Sequence, residues 1–409
     1  MSSYSRTSSY YTLFYASLAL AGVLAVLAAI PTLGVSRWSL AYWRATANGQ
    51  AVTAAPPQAL HRRAAAWLAD EALQQGDLAQ AQALQAQLST TTDPFARRVL
   101  GLLYAREGDL DAALQAWTAA GDYRSLSQAA AVLEEEGRSD LAFDALRAAQ
   151  QVAPEQGVSA LASFLARHDA PAEAAYTLQQ AINDYPFSIR RAGWMRTAGR
   201  LLQQAGQWDE AEAVYRQLAA EKPVQGDVQL GLLAYARGDG LDAALAFFDQ
   251  AMDADPASGE GAYQKAALLG REKRYEEAER WYEEALAREP DKKQYWVAYA
   301  NNARTAGDYT AAIRRYRAAA RRFPDYAAPY SELAWAYRLA DDPQAAIQAM
   351  ERALALLEKP SAGYELRAGA IYEWAGEPEK ALGRYRAALE IQPENASAVK
   401  GIARLEGEK

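Results

Sequence analysis

Residues 275–324 read YEEAERWYEEALAREPDKKQYWVAYANNARTAGDYTAAIRRYRAAARRFP. Ala278, Tyr282 and Ala285 lead to Pro290, and the same pattern returns 34 residues later as Ala312, Tyr316, Ala319 and Pro324. An i, i+4, i+7 set lies on one stripe of a 3.6-residue helix, and its alternation of small and large groups lets a neighbouring helix approach between aromatic knobs. Proline cannot continue a helix, so it closes one unit and opens the next. Gly307-Asp308, just upstream of Ala312, supplies a turn in which glycine reaches positive φ at little cost. The predicted unit is helix, turn, helix.

Outward from this stretch the alanine recurs at 81, 113, 142, 174, 211, 244, 278, 312, 346 and 381, in steps of 32, 29, 32, 37, 33, 34, 34, 34 and 35 residues. Self-similarity at such a period predicts a solenoid. Alanine is common here, so other residue types must hold the same register. Trp117, Tyr215, Phe248, Tyr282, Tyr316 and Tyr385 stand four places after it. Leu88, Leu218 or a further alanine (120, 149, 181, 251, 285, 319, 353, 388) stands seven places after, and Pro154, Pro186, Pro223, Pro256, Pro290, Pro324 and Pro393 twelve. Gly76-Asp77, Gly108-Asp109 and Gly206-Gln207 mark further turns.

These offsets resemble the tetratricopeptide repeat family. Tyr330, Leu333, Ala334, Tyr337, Ala346 and Ala353 fall on the family's positions in one unit, and Leu100, Gly101, Tyr104, Ala113, Trp117 and Ala120 do so in another. Asp341-Asp342-Pro343 takes a turn position without glycine. The resemblance spans residues 61–393 and implies an all-α fold, a right-handed α-solenoid of about ten repeats, with residues 394–409 as capping helix and tail. The 29-residue and 37-residue steps should bend or subdivide it, the second near 183–193.

Residues 12–35, TLFYASLALAGVLAVLAAIPTLGV, hold 24 residues without a charge, enough at ~1.5 Å per residue to cross the hydrocarbon of a bilayer. Tyr10, Tyr11 and Tyr15 at one end and Trp38, Tyr42 and Trp43 at the other match interfacial aromatic belts. The expected order is a short tail (1–11), one transmembrane helix (12–35), a juxtamembrane linker (36–60) and the array. A cleaved signal peptide fits less well, because the apolar run is long and the small-x-small site Ala45-Thr46-Ala47 lies well beyond it. Arg6 on the short side and Arg37 and Arg44 on the long side nearly balance the positive-inside count. The absence of cysteine suits an exported array, so an extracytoplasmic array on a plasma (inner) membrane anchor is the expected topology, with a cytoplasmic array the alternative.

Residues 61–409 carry 40 basic against 51 acidic groups, a net charge of −11, which argues against a general nucleic-acid surface. With His61 and His168 as the only histidines and no cysteine, histidine-cluster and thiolate metal sites and thiol nucleophiles are excluded. No phosphate-binding loop, dinucleotide fingerprint or nucleophile elbow occurs, so neither an enzyme nor a cofactor is expected. His168 at a helix end reads as a cap, and Glu134-Glu135-Glu136 and Glu276-Glu277 as solvated faces.

What remains is surface. The family resemblance implies that the first helix of each pair lines a concave groove whose exposed residues choose the ligand. Arg106, Arg167, Arg237, Arg271, Arg304 and Arg338 stand near the ends of such helices. They read either as complements to the helix dipole or as an arginine ladder for acidic segments. Arg196 and Arg200, with Arg190 and Arg191 upstream, concentrate positive charge at the 37-residue step. Asn301, followed by Arg304, sits where clamp-type members hold a peptide carboxylate, although Val297 and Ser331 replace the clamp's other basic positions. The candidate partner-binding residues are therefore Arg196, Arg200, Arg237, Arg271, Asn301, Arg304 and Arg338. The expected role, by resemblance to membrane-anchored bacterial members, is a scaffold that binds other proteins in envelope assembly, secretion or surface-polysaccharide machinery. A permanent structural subunit of a membrane complex is the alternative.

Overall fold

The structure, a computed structural model, describes residues 61–407, which form 22 α-helices and, among these residues, no strand. The expected anchor, linker and tail lie outside the described residues. Among the described ones no helix is long and apolar enough to cross a membrane.

The helices alternate as first and second members of ten pairs. In the first pair α1 (His61–Gln75) faces a second member broken into α2 (Leu78–Ala83) and α3 (Gln85–Leu88). There follow α4 (Pro94–Glu107) with α5 (Leu110–Ala120), α6 (Tyr123–Glu135) with α7 (Ser139–Val152), and α8 (Pro154–Arg167) with α9 (Pro171–Asp184). Beyond Arg191 come α10 (Arg191–Gln204) with α11 (Trp208–Glu221), α12 (Pro223–Arg237) with α13 (Leu241–Ala254), and α14 (Glu260–Arg271) with α15 (Tyr275–Arg288). Then follow α16 (Lys293–Thr305) with α17 (Tyr309–Arg322), α18 (Ala327–Leu339) with α19 (Pro343–Ala355), α20 (Ala362–Trp374) with α21 (Pro378–Ile391), and α22 (Ala396–Gly407) alone.

The recurring alanine is what the second helices are built around. Ala81, Ala113, Ala142, Ala174, Ala211, Ala244, Ala278, Ala312, Ala346 and Ala381 are all 0% exposed. The aromatics four places on are buried too, Tyr215, Phe248 and Tyr316 completely. At Trp117, Tyr215, Phe248 and Tyr385 the ring packs where the first helix offers a glycine. A Cβ on Gly199 would come within 2.2 Å of Tyr215 Cε1, and one on Gly369 within 2.5 Å of Tyr385. Between the paired helices the backbone turns left-handed, at Gly307 with φ 87° and, where glycine is missing, at Lys273 with φ 62° and Asp341 with φ 57°. Asp77, Asp109, Asp308 and Asp342 then cap the second helix, each accepting a hydrogen bond from the amide three residues on.

The fold divides into two compact units between Arg190 and Arg191. In the first unit the 29-residue step has a local cause. Left-handed Gly121 (φ 70°) stops α5 after 11 residues, and Asp122 at once caps α6. Ala120, which would be the next knob on the buried stripe, is left partly exposed. A 360 Å³ cleft opens between α4, α5 and α6, lined by Leu102, Leu110, Trp117, Ala129, Val132 and Leu133 among others. Further along, α6 and α8 are joined by Arg167, whose Nε and Nη2 donate to the Glu134 carboxylate at 2.9 and 2.8 Å. His168 terminates α8, stacks on Phe164 at 4.2 Å and reaches Glu134 at 3.3 Å.

Candidate functional site

In the second unit each first helix touches the next, α10 through α12, α14, α16, α18 and α20 to α22. The seven candidate residues all lie on these first helices, and the fold treats them in three ways.

Arg196 and Arg200 stand one turn apart on α10, both exposed, with no ion pair among the described residues. Neighbouring Arg191, by contrast, is paired with Glu221. Two further arginines are stacked rather than paired. The Arg271 guanidinium lies over Tyr235 of the adjacent first helix, 5.2 Å from the ring centre, and Arg338 lies over Trp335 at 4.5 Å. Stacking fixes the plane of a guanidinium while leaving its N–H edges open to a carboxylate.

The remaining three are occupied by the chain itself. Arg237 donates through Nε and Nη2 to Asp239 and through Nη1 to Glu212 at 2.7 Å, and these carboxylates hold its guanidinium well above the ordinary arginine range. Arg304 Nε donates to the Tyr316 hydroxyl at 3.3 Å, and that hydroxyl donates to Asn301 Oδ1. Arg304 and Asn301 thus close over a buried ring whose ionisation burial pushes up to about 12.

That last contact recurs. Gln203 Nε2 donates to Tyr215 Oη at 2.8 Å, and Tyr385 Oη donates to Glu373 Oε2 at 2.6 Å. In each case the polar residue ending the first helix lies twelve positions before the tyrosine of the second. The sequence signal for this tie is a polar residue twelve positions before a periodic tyrosine, a spacing outside the alanine register read above. A buried phenol without a partner costs ~1–3 kcal/mol, which explains a polar residue at this point independently of any ligand.

Among the described residues no group of three His, Asp or Glu side chains is placed to hold a metal ion. Of the first unit's arginines named above, Arg106 is exposed and Arg167 is engaged with Glu134.

The sequence profile described as "Tetratricopeptide repeat" matches residues 196–259, 228–293, 263–313 and 297–361. Residues 196–361 carry tetratricopeptide repeats. Repeats of this family generally form non-catalytic scaffolds that mediate contacts between proteins. Every matched segment lies in the second unit. No curated protein matches the chain. Among solved structures it is similar to a tetratricopeptide repeat protein from Parabacteroides merdae, with 15% identity over 61% of this chain and 98% of that one, TM-score 0.41. It is similar to yeast Tom70, with 14% identity over 85% and 88%, TM-score 0.46. It is also similar to PilW, a type IV pilus biogenesis factor, with 17% identity over 52% and 99%, TM-score 0.41.

Proposed function

We propose that this protein is a membrane-tethered scaffold that binds acidic segments of other proteins along the first helices of its second unit. The observation carrying this reading is the unpaired pair Arg196 and Arg200, at the start of a run of touching first helices on which Arg271 and Arg338 also lack an ion pair among the described residues. Arg271 and Arg338, already held by stacking, lose little conformational freedom when a peptide docks, so more of their contact energy appears as affinity. The tether is residues 12–35, a plasma (inner) membrane is its site, and the array is extracytoplasmic. Envelope assembly, secretion or surface-polysaccharide machinery is the setting.

Purification of the full chain in mild detergent at low salt, beside Arg196→Glu/Arg200→Glu, tests the binding face. The double variant should lose co-purifying partners while its thermal midpoint stays put, since exposed charges contribute little to stability. Equal recovery of the same partners by both proteins would refute the assignment. A partner that stays stoichiometric through ~1 M salt, where the Debye length is ~3 Å, would instead mark a permanent subunit.

A further inference from the structure

The second helices of two successive repeats carry opposite charge. α15 contains Glu276, Glu277, Glu279, Glu283 and Glu284, and α17 contains Arg314, Arg315, Arg317, Arg321 and Arg322 with no acid. Some of these charges are neutralised at home. Arg315 is buried, stacks on Tyr299 at 3.8 Å and pairs with Glu279. Arg322 reaches Asp291 at 2.5 Å, Arg288 reaches Glu284 at 2.8 Å and Arg274 reaches Glu277 at 2.6 Å. Arg280 lies close enough to Glu277 to help hold its carboxyl below the usual range, after Arg274.

What is left over is ordered. Arg314, Arg317 and Arg321 are exposed along one stripe of α17, bordering with Thr310 and Ile313 an open 330 Å³ hollow, and have no ion pair among the described residues. Arg317 has only a distant ring, Tyr337 at 5.4 Å. On α15, Glu276 and Glu283 are exposed without a basic partner among the described residues, Glu283 accepting a hydrogen bond from Tyr299 at 2.7 Å. The outer arginines, 314 and 321, and the two glutamates, 276 and 283, have the same seven-residue separation, ~10.5 Å along a helix.

We propose that a second copy of this chain covers this surface, α15 of each copy lying antiparallel on α17 of the other. Glu276 then meets Arg321 and Glu283 meets Arg314, two attractive pairs per helix contact that outweigh the one like-charge approach of this register, Arg317 to Arg280, whose charge Glu277 of its own helix partly offsets. A two-fold axis passing between the two helices makes each contact twice, which closes the assembly at a dimer. A bilayer fits the stripe less well than a narrow acidic helix, because the basic stripe is one helix wide and the second helix of the preceding repeat carries five glutamates.

Sedimentation velocity of the full chain in mild detergent tests this directly. The protein should be dimeric at low salt and shift to monomer near ~1 M salt. Arg314→Glu/Arg317→Glu/Arg321→Glu should be monomeric at low salt with unchanged helicity. Adding Glu276→Arg/Glu283→Arg to that variant restores opposite charges on the two helices and should bring the dimer back, which a merely local role for the arginines would not do. A wild-type monomer at low salt, a triple variant that still dimerises, or a swap that fails to rescue would each overturn the proposal. So would a monomer that binds vesicles of anionic lipid through this stripe.

Discussion

The two units are assembled from the same buried signature and stack differently. Ala113 and Ala142 in the first are as completely buried as Ala278 and Ala312 in the second. Yet Gly121 cuts α5 short and leaves a 360 Å³ cleft before α6, whereas α15 and α17 each run 14 residues and the first helices beside them touch in succession. The packing within a pair is therefore set by side chains on the second helix, and the packing between pairs by the length of chain that joins them. It follows that only the second unit offers an uninterrupted row of first helices, and the recognised repeats all fall there.

Substitutions of matched positions should expose this difference. The largest effect is expected for Ala312→Trp, which forces a ring into a completely buried site and should cost ~3 kcal/mol or more in thermal or denaturant unfolding. Because repeats couple to their neighbours, protection from hydrogen exchange should fall around α16 to α18 and remain in α4 and α5. Loss spread evenly along the chain would contradict the division.

A paired measurement sharpens it. Gly199→Ala sets a Cβ 2.2 Å from the fully buried Tyr215 ring and should cost ~1–3 kcal/mol. Gly101→Ala is sterically similar, 2.4 Å from Trp117, but that ring borders the cleft and can yield into it, so the cost should be clearly smaller. Equal costs would mean that the cleft gives Trp117 no room. In the same spirit, Ala129→Leu at the cleft wall should stabilise by ~0.5–2 kcal/mol through cavity filling, the opposite sign to Ala312→Trp.

The smallest effect concerns pH. In each unit a carboxylate clasped between successive first helices is shifted, Glu134 by Arg167 and Glu373 by Arg404, and in both the arginine hydrogen bond holds the carboxyl below its usual 4.5. A depressed folded-state value contributes stability that is present above the unfolded value and is lost as pH falls below about 4.5 through the folded value. With both arginines more than half exposed, each clasp is worth under ~1 kcal/mol. Glu373→Gln should therefore flatten the acid limb of α22 protection slightly, and a steeper limb would be contrary to this sign.

The fold was legible because its code is local. Ala312, Tyr316 and Ala319 lie within two turns of one helix, and spacing alone assigns them to the core. Candidate residues were less legible because their partners are remote. Whether Arg304 is free depends on Tyr316 across a turn, Arg237 on Glu212 in the preceding repeat, and Arg315 on Glu279, 36 positions away. Composition shows five arginines on α17, but only the packed chain shows which three are left over. The reading of residues 12–35 falls outside the described residues and rests on their uncharged length.

Hydrogen–deuterium exchange on the full chain tests the central claim most directly, since it reports stacking repeat by repeat without a mutation. Amides of α5 and α6, flanking the cleft, should exchange faster than those of α15 to α18. Equal protection in both sets, or slower exchange in α5 and α6, would contradict an account in which the joining segments, and not the buried alanines, decide how well the repeats stack.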